Sequence, residues 1–365
     1  MKNKPIRTTY PLLPPLDEYV LYLEKIWESG IITNRGNMEL QFEMELKKKL
    51  GLEHLSVVNN GTTALILALK ALKVTGEVIT TPFTHISTAQ AILWNGLTPV
   101  FVDIDDDTYN IDPEKIEQAI TPQTSAILAV HLFGQPCNIE ALEKMAKKHC
   151  IKLIFDAAHC FGVEINDHSV LQAGDCSTIS FHATKTFNTI EGGAIICKDP
   201  ALHTEIEKLK NNGIDTTQNP VTSGLNGKMN EFQAAFGLLQ LQYVDQSIQK
   251  RKEIFKLYQK KLQSIQGITM MNEKPGVNYN YGYFPIMINP TLYGFTRDQL
   301  FEKLKTENIH CKKYFDPLVS DVPIFKHFKR FPLPVAEKVA QNIICLPLHH
   351  LLEEEDVARM LGMLD

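Results

Sequence analysis

The stretch LSVVNNGTTALILALKAL, residues 55–72, joins a strand pattern directly to a helix pattern. Its first residues form a short apolar run typical of a buried strand, and the helical part, residues 61–72, is apolar on nearly all of its faces. A helix of that kind packs against neighbours on more than one side. The stretch therefore predicts a strand and a helix that both lie inside a large α/β domain.

The same alternation of apolar runs and helical patterns continues to about residue 197. Further strand candidates are EVITTP, PVFVDID, SAILAVHLFG, KLIFDAA, residues 177–181 and residues 193–197, with helical segments such as ISTAQAILWNG and NIEALEKMAKKHC between them. Strands rich in Val, Ile and Leu that alternate with helices are typical of a mostly parallel sheet covered on both faces. Ligands of such sheets bind beyond the carboxyl ends of the strands, so functional residues are expected there.

The size, charge and cysteine content of the chain restrict its class. A chain of 365 residues can bury a large core. Its net charge of −5 argues against general binding to nucleic acid or to anionic membranes, and no apolar run is long enough for a signal peptide or a membrane span. The seven cysteines are scattered without a CxxC pair, which favours a reducing cytoplasm and predicts no metal site.

The second half of the chain changes in character. A polar stretch at residues 211–231, rich in glycine and amides, predicts a long loop, and such loops are usually functional. A helical pattern follows and becomes steadily more charged, as a bridge to a C-terminal portion that mixes strands and helices. We therefore expect a large domain over residues 1–245 and a smaller α+β domain over residues 246–365.

Three strand ends carry candidate functional residues, and the first is the junction in the opening stretch. Gly61 and Thr62 begin the predicted helix, where exposed N–H groups and the helix dipole favour a phosphate. Simple helix capping by Asn60 or Thr63 explains the same residues equally well.

The second strand end is KLIFDAAHCFG, where an apolar strand finishes at Asp156. A carboxylate at the edge of a buried sheet needs a partner to stay charged, and a protonated ring nitrogen would be one. The alternative is an aspartate that caps the following turn. His159, three residues on, either faces the same cavity or packs beneath it.

The third strand end lies in STISFHATKTFNTIEGGAII, residues 177–196, which places Lys185 on a connection between two strands. A solvated loop lysine is the ordinary reading of such a residue. A lysine held beside a cofactor, with its amine as nucleophile, is the alternative. Ser180, at the end of the preceding strand, is either a phosphate ligand or an ordinary strand serine.

Together the three strand ends point to one cofactor. Pyridoxal phosphate (PLP) needs an anion site for its phosphate, a carboxylate against its pyridinium nitrogen and an amine to bond its aldehyde. The chain offers these in order: the phosphate-type turn, then Asp156, then Lys185. The sequence therefore predicts a PLP enzyme in which the lysine also moves a proton on the substrate carbon.

The motifs NNGTTAL, TPVFVDIDDDTYNIDPEKIEQAI, VHLFGQP, DAAHCFG, SFHATKTFNTIEGGA and GLNGKMNEFQAAFGLLQL resemble those of the DegT/DnrJ/EryC1/StrS family of PLP-dependent sugar aminotransferases. The resemblance covers nearly the whole chain. It implies aminotransferase fold type I, an α/β architecture with a large, mostly parallel mixed sheet flanked by helices and a smaller α+β C-terminal domain. It also implies a homodimer with shared active sites, and transfer of an amino group from L-glutamate to a keto group of a nucleotide-linked deoxysugar.

The resemblance assigns roles to residues around the cofactor ring. Lys185 matches the lysine that bonds the cofactor, and Asp156 matches the partner of the pyridine nitrogen. His159 stands where the family has Gln or His near the phenolic oxygen. His85 stands where the family usually has a large aromatic ring stacked on PLP.

Other positions match contacts to the phosphate and to the substrate. Gly61, Thr62 and Ser180 match phosphate-binding positions. Asn226 matches an asparagine that reaches the phosphate of the neighbouring subunit, so the polar stretch at residues 211–231 is expected at a subunit interface. Tyr314 is expected to contact the sugar nucleotide.

Within the family, the chain resembles enzymes that aminate dTDP-keto-6-deoxyhexoses for O-antigen synthesis. C4 of dTDP-4-keto-6-deoxyglucose is the favoured position, and C3 of a 3-keto isomer is the alternative. Family members with histidine in place of the lysine are sugar dehydratases, whereas this chain keeps Lys185. A non-catalytic PLP-binding regulator and a nicotinamide dehydrogenase are the remaining alternatives, and the lack of GxGxxG after the first strand argues against the dehydrogenase.

Overall fold

The computed structural model describes residues 4–328 and 331–364. Its α-helices are Leu16–Ser29 (α1), Asn37–Leu50 (α2), Gly61–Ala71 (α3), Ile86–Trp94 (α4), Pro113–Ala119 (α5), Ile139–His149 (α6), Pro200–Lys210 (α7), Glu231–Leu262 (α8), Pro290–Tyr293 (α9), Arg297–Thr306 (α10), Pro334–Asn342 (α11) and Glu354–Leu361 (α12). Its strands are His54–Val58 (β1), Glu77–Thr80 (β2), Thr98–Phe101 (β3), Thr124–Val130 (β4), Lys152–Asp156 (β5), Glu164–Ile165 (β6), His168–Ser169 (β7), Cys176–Ser180 (β8), Gly193–Cys197 (β9), Ile268–Met270 (β10), Val277–Asn278 (β11), Phe284–Ile288 (β12) and Ile343–Leu346 (β13).

The central sheet has seven strands in the order β1-β9-β8-β5-β4-β2-β3. Neighbours from β8 through β5, β4 and β2 to β3 pair in parallel, whereas β9 pairs antiparallel with both β1 and β8. The predicted mostly parallel mixed sheet is therefore confirmed. Because β5 and β8 are parallel neighbours, the residues that follow their carboxyl ends emerge at one edge of the sheet.

Helices cover both faces of this sheet. Along β5, Ile154 packs in the core cluster that contains the α3 residues Leu65 and Leu69, while Leu153 and Phe155 pack on the other face with residues of α5 and α6. Successive side chains of a strand point to opposite faces, so both sides must be apolar. This explains the continuous apolar run of β5 and the nearly all-apolar surface of α3.

The C-terminal portion contains a smaller antiparallel sheet in the order β10-β12-β13. Its core combines these strands with α10, α12 and the end of α8, where Ile254 and Tyr258 are buried. Contacts toward the first part of the chain include the pairing of β11 with β6 and the packing of α11 with Phe83 and Ile104. The expected division at residue 245 falls inside α8 and stays a prediction.

Within the described ranges, no helix is both long and apolar enough to cross a bilayer. The longest, α8, matches the predicted helix after the polar stretch, and it begins with a capping box between Asn230 and Gln233. The carboxylate of Glu231 accepts hydrogen bonds from the N–H groups of Met38 and Glu39 at the start of α2. The first turn of α2 is thereby joined to the first turn of α8.

Candidate active site

A cavity of about 640 Å³ lies at the carboxyl ends of β5 and β8. Its lining includes most of the residues that the sequence pointed to: Gly61, Thr62, His85, Asp156, His159, Ser180, Lys185 and Tyr314. These residues come from five separate segments, residues 61–62, 85, 156–159, 180–185 and 314, and the sheet order brings the segments together. The position of the cavity agrees with the rule for ligand sites in parallel sheets.

Two helix N-termini meet at one end of the cavity. At the start of α3, the side chain of Asn60 accepts the N–H of Thr63, so the capping alternative is correct for Asn60. A Cβ on Gly61 would lie 2.8 Å from the Cβ of Ser180, so only glycine allows the end of β8 to approach the first turn of α3 this closely. Capping and close approach are both present at this junction.

The start of α4 lies beside that of α3. His85 is the N-cap of α4, where its Nδ1 accepts the N–H of Ser87. The hydroxyl of Thr62 donates to Oγ of Ser87 at 3.1 Å, which joins the two helix starts. Two positive dipole ends and the hydroxyls of Thr62 and Ser180 therefore face one region of the cavity, an arrangement that favours a phosphate.

The carboxylate of Asp156 is buried at the end of β5. Its Oδ2 accepts a hydrogen bond from the Thr88 hydroxyl at 2.8 Å, and its Oδ1 accepts the N–H of Ala158 at 3.1 Å. Burial raises the pKa of Asp156, while the two hydrogen bonds and the charge of Lys185 oppose that rise. Asp156 thus holds its own turn and also faces the cavity, so the two alternatives for this residue coexist.

His159 lies in the same cavity as a neutral imidazole. Its Nδ1 accepts the N–H of Phe133 at 2.9 Å, which leaves the proton on Nε2. Burial and the nearby positive charge of Lys185 hold the pKa of His159 well below its usual value. The ring centroid lies 4.5 Å from that of Tyr283.

Lys185 projects from the loop between β8 and β9 into the cavity. Its Nζ donates a hydrogen bond to the hydroxyl of Tyr283 at 3.2 Å. Burial lowers the pKa of Lys185 to about 8, although the charge of Asp156 acts in the opposite direction. About one-tenth of this amine is therefore uncharged at pH 7, far more than at its ordinary pKa, and the uncharged form is the one that a nucleophile or proton acceptor requires.

Two residues that contact the reactive groups were missed by the sequence analysis. Thr88 belongs to the apolar helix α4, and nothing in its own spacing marks it as a partner of Asp156. Tyr283 comes just before β12, more than 90 residues after Lys185. The alternation of Tyr279, Tyr281 and Tyr283 was not a signal for it, because Tyr281 has a positive φ of 50° and only Tyr283 of the three lines this cavity.

The remaining predicted residues differ in how much the structure says about them. His85 and Tyr314 both line the cavity, and the Tyr314 ring centroid lies 6.2 Å from that of Tyr283. Asn226 is exposed and pairs through its backbone with Asn211. It is not among the residues that line the cavity of the single chain, and its reach into a neighbouring subunit stays a prediction.

The residues present fit PLP. The helix starts with Thr62 and Ser180 offer donors to a phosphate, Asp156 offers a buried carboxylate to a ring nitrogen, and Lys185 offers an amine of lowered pKa. The missing Cβ of Gly61 leaves room beside Ser180 for close approach of the backbone. The cavity therefore combines the three features that the cofactor requires.

Comparison with known proteins gives consistent results. The model of the DegT/DnrJ/EryC1/StrS aminotransferase family matches residues 17–365. The chain is 46% identical to the dTDP-4-amino-4,6-dideoxy-D-glucose transaminase of Escherichia coli, over all of this chain and 99% of that protein. It is 33% identical to the GDP-perosamine synthase of Caulobacter vibrioides, over 95% of this chain and 94% of that protein. Among solved structures, DesI in the presence of its TDP-sugar product matches with a TM-score of 0.95 and 33% identity, over 99% of this chain and 92% of that chain.

Proposed function

The chain belongs to the DegT/DnrJ/EryC1/StrS aminotransferase family, and from this premise we propose that it transfers the amino group of L-glutamate to C4 of dTDP-4-keto-6-deoxy-D-glucose. The product is dTDP-4-amino-4,6-dideoxy-D-glucose, the sugar nucleotide in the name of the 46% identical E. coli protein. The cofactor is PLP.

The observation that carries the proposal is the presence of Lys185 and Asp156 in one cavity beside two helix N-termini. A sugar dehydratase of this family lacks the lysine. A nicotinamide dehydrogenase has no use for a half-buried lysine opposite a buried carboxylate. Amino transfer uses all of these groups.

Each group of the site has a task in the transfer. When bound, PLP supplies an aldehyde that bonds amines and a ring that accepts the electron pair released when a proton leaves the neighbouring carbon. The carboxylate of Asp156 would keep the ring nitrogen protonated, which strengthens that electron acceptance. The starts of α3 and α4, with Thr62 and Ser180, would hold the phosphate.

Lys185 moves the proton. Because burial lowers its pKa to about 8, its amine can accept a proton from a substrate carbon and return it at another. The hydroxyl of Tyr283 holds the Nζ atom at one point of the cavity. His159, fixed by the N–H of Phe133, can donate from Nε2 to an oxygen of the bound cofactor.

The test is an assay of purified protein with PLP, L-glutamate and either a 4-keto or a 3-keto dTDP-6-deoxyhexose. We expect a visible absorption band after PLP is added, 2-oxoglutarate formation with the 4-keto sugar, and a product with an amine at C4. If the enzyme turns over the 3-keto isomer and not the 4-keto sugar, the site of amination is C3 and not C4. A protein that stays colourless with PLP would overturn the enzyme assignment.

We propose that the enzyme is a homodimer with shared active sites. Large apolar side chains are exposed just before α1, on α1 and on the segment that leads to α2; they are Leu13, Leu16, Leu21, Trp27, Ile31 and Ile32. Exposed apolar side chains in one stretch of chain are typical of an interface between copies. The predicted phosphate contact of Asn226 also needs a second chain.

Mixed dimers test the shared site. Neither Asn226→Ala nor Lys185→Ala homodimers are expected to be fully active. In a mixed dimer, one site has both substitutions and the other has neither, so mixing is expected to restore activity at one site per dimer. If mixing restores nothing while mass measurements show mixed dimers, Asn226 acts within its own chain.

We also propose a cytoplasmic location and a role in O-antigen or other cell-surface polysaccharide synthesis. The seven free cysteines are compatible with a reducing compartment. Fractionation of cells tests the location. Loss of an amino sugar from the surface polysaccharide of a deletion strain tests the pathway, and an unchanged polysaccharide would contradict it.

A further inference from the structure

Two buried threonine hydroxyls form a chain that ends on Asp156. Thr84 and Thr88 are 2% and 0% exposed. Their Oγ1 atoms are 2.9 Å apart, and Oγ1 of Thr88 lies 2.8 Å from Oδ2 of Asp156. Thr88 lies in the first turn of α4 and Thr84 lies just before that helix, so α4 positions the chain behind the carboxylate.

The direction of the hydrogen bonds follows from the number of protons. A hydroxyl has one proton to donate. Because an ionised Asp156 can only accept, Thr88 must give its proton to Asp156. Thr84 must then donate to the oxygen of Thr88, and this polarises the Thr88 hydroxyl as a donor.

We propose that Thr84 and Thr88 are positioning residues that keep Asp156 ionised and aimed at the ring nitrogen of the bound cofactor. The inference rests on the proposed function, since it concerns how this chain holds PLP in its protonated form. Neither threonine is assigned a contact with the substrate. Both act through Asp156.

No other described group around Asp156 supplies the hydrogen bond that Thr88 donates to Oδ2. The titratable side chains that face it are Lys185, His85, Cys160 and Tyr283. The Nζ atom of Lys185 donates to Tyr283 and Nδ1 of His85 pairs with Ser87. The N–H of Ala158 reaches only Oδ1. Oδ2 therefore depends on Thr88.

Loss of the Thr88 hydrogen bond has a definite consequence for the bound cofactor. Without it, the carboxylate of Asp156 becomes more basic and draws the shared proton away from the ring nitrogen. With the cofactor bound, the nitrogen of Lys185 would then keep its proton to a higher pH. The pH midpoint of the visible absorption band must then rise.

The experiment is a pH titration of the absorption spectrum of the holoenzyme, with equilibrium dialysis of PLP as a second readout. Thr88→Val is expected to raise the midpoint by about one pH unit and to weaken PLP binding about tenfold. Thr84→Val is expected to raise the midpoint by roughly 0.3 unit, because it removes only the polarisation. Thr88→Ser keeps the hydroxyl and is expected to titrate as the wild type.

Thr80→Val is the matched control. Thr80 is equally buried, and its hydroxyl donates to the carbonyl of Leu128 at 2.8 Å, outside the chain that ends on Asp156. We expect this variant to lower the thermal unfolding midpoint without moving the absorption midpoint. A merely structural role for Thr88 would give the same result as this control.

Each result of the pH titration either supports or overturns the inference about the two threonines. An unshifted midpoint in folded Thr88→Val overturns the inference and leaves the proposed function standing. If Thr88→Val does not fold, Thr84→Val decides: a raised midpoint supports the inference and an unshifted one overturns it. A wild-type protein that forms no visible band with PLP overturns both the inference and the proposed function.

Discussion

Lys210 is buried and Lys185 is half-buried in the cavity, and their surroundings differ completely. The Nζ atom of Lys210 lies 2.8 Å from Glu207, 3.2 Å from Glu43 and 3.7 Å from Glu39. It also donates to the carbonyl of Val57 at 3.3 Å. Lys185 has the neutral hydroxyl of Tyr283 as its hydrogen-bond acceptor in the cavity.

The pKa values of the two lysines move in opposite directions. The carboxylates around Lys210 raise its pKa in spite of burial, whereas burial lowers the pKa of Lys185 to about 8. Burial alone therefore does not make a lysine reactive. The number of carboxylates within contact distance decides whether the amine is a fixed cation or a nucleophile.

The two lysines also differ in what they hold. Lys210 ends α7 and joins that helix to α2 through Glu39 and Glu43 and to β1 through Val57. The Nζ atom of Lys185, by contrast, contacts the hydroxyl of Tyr283 and links no pair of the described helices. This comparison predicts that Lys210 contributes to stability and Lys185 to chemistry, and the following substitutions test it.

Lys185→Ala gives the largest effect. We expect kcat to fall by at least about 10⁴-fold, because both the bond to the cofactor and the proton carrier are lost. Steady-state assays with glutamate and the keto sugar measure the loss. Lys210→Met is the matched control, and comparable inactivation of that variant in the folded state would remove the distinction between the two lysines.

Asp156→Asn comes next. The amide cannot hold the ring nitrogen protonated, so we expect kcat to fall by about 10³-fold, on the scale of one lost electrostatic contact. Some PLP remains bound, because the phosphate contacts are unchanged. A kcat near the wild-type value would show that Lys185 works without this carboxylate.

Lys210→Met affects stability. Among the described residues, removing Lys210 leaves Glu39 without a cationic side chain and leaves Arg35 as the remaining cation beside Glu43 and Glu207, so we expect the free energy of unfolding to fall by about 3 kcal/mol. Chemical denaturation measures the loss. Lys185→Met is the control, and we expect it to leave stability unchanged or increased, since it removes a poorly compensated cation.

The pH dependence of the Lys210→Met defect has a definite sign. Burial raises the pKa of Glu39 to about 7, and Lys210 opposes that rise. The folded state therefore binds more protons than the unfolded state between the ordinary carboxyl pKa and pH 7, so stability falls as pH rises through this window. Without Lys210 the pKa of Glu39 rises further, so the variant loses more stability than the wild type when Glu39 must ionise. We therefore expect the stability defect of Lys210→Met to be smaller at pH 6 than at pH 8. A stability defect independent of pH would contradict this account.

The rate at which apoprotein takes up PLP gives a smaller, graded effect. The pKa of Lys185 is lowered to about 8, so its amine is mostly neutral above that pH. We expect the rate, followed by visible absorbance, to fall about tenfold per pH unit below pH 8 and to level off above it. A rate that still rises steeply toward pH 10.5 would mean that the lysine has its ordinary pKa.

Tyr283→Phe should have the smallest effect. The Tyr283 hydroxyl accepts a hydrogen bond from the ammonium form of Lys185, so its loss disfavours the charged amine. We expect the midpoint of PLP uptake to move down by less than about one pH unit. Tyr279→Phe is the control, because that hydroxyl bonds Gln135; an equal shift in both variants would rule out a specific effect on Lys185.

Much of the large sheet was predictable because its strands are buried on both faces. The strand at KLIFDAA and the helix that begins at Gly61 lie where the apolar patterns placed them. The chemistry of Asp156 and Lys185 could also be inferred, since a carboxylate and an amine at strand ends need a reason to be there. Thr88 could not be identified in this way, because a threonine on an apolar helix has no local signature of its partner.

By itself, the sequence determined the element types, the mostly parallel sheet and the types of group that carry the chemistry, because burial and backbone geometry leave a local pattern in every strand and helix. Only the tertiary structure decided which polar groups meet: Thr88 with Asp156, Tyr283 with Lys185, and three glutamates with Lys210. The physical reason is that these contacts depend on strand order and helix packing. The pKa of a buried group is set by neighbours that are distant in the chain.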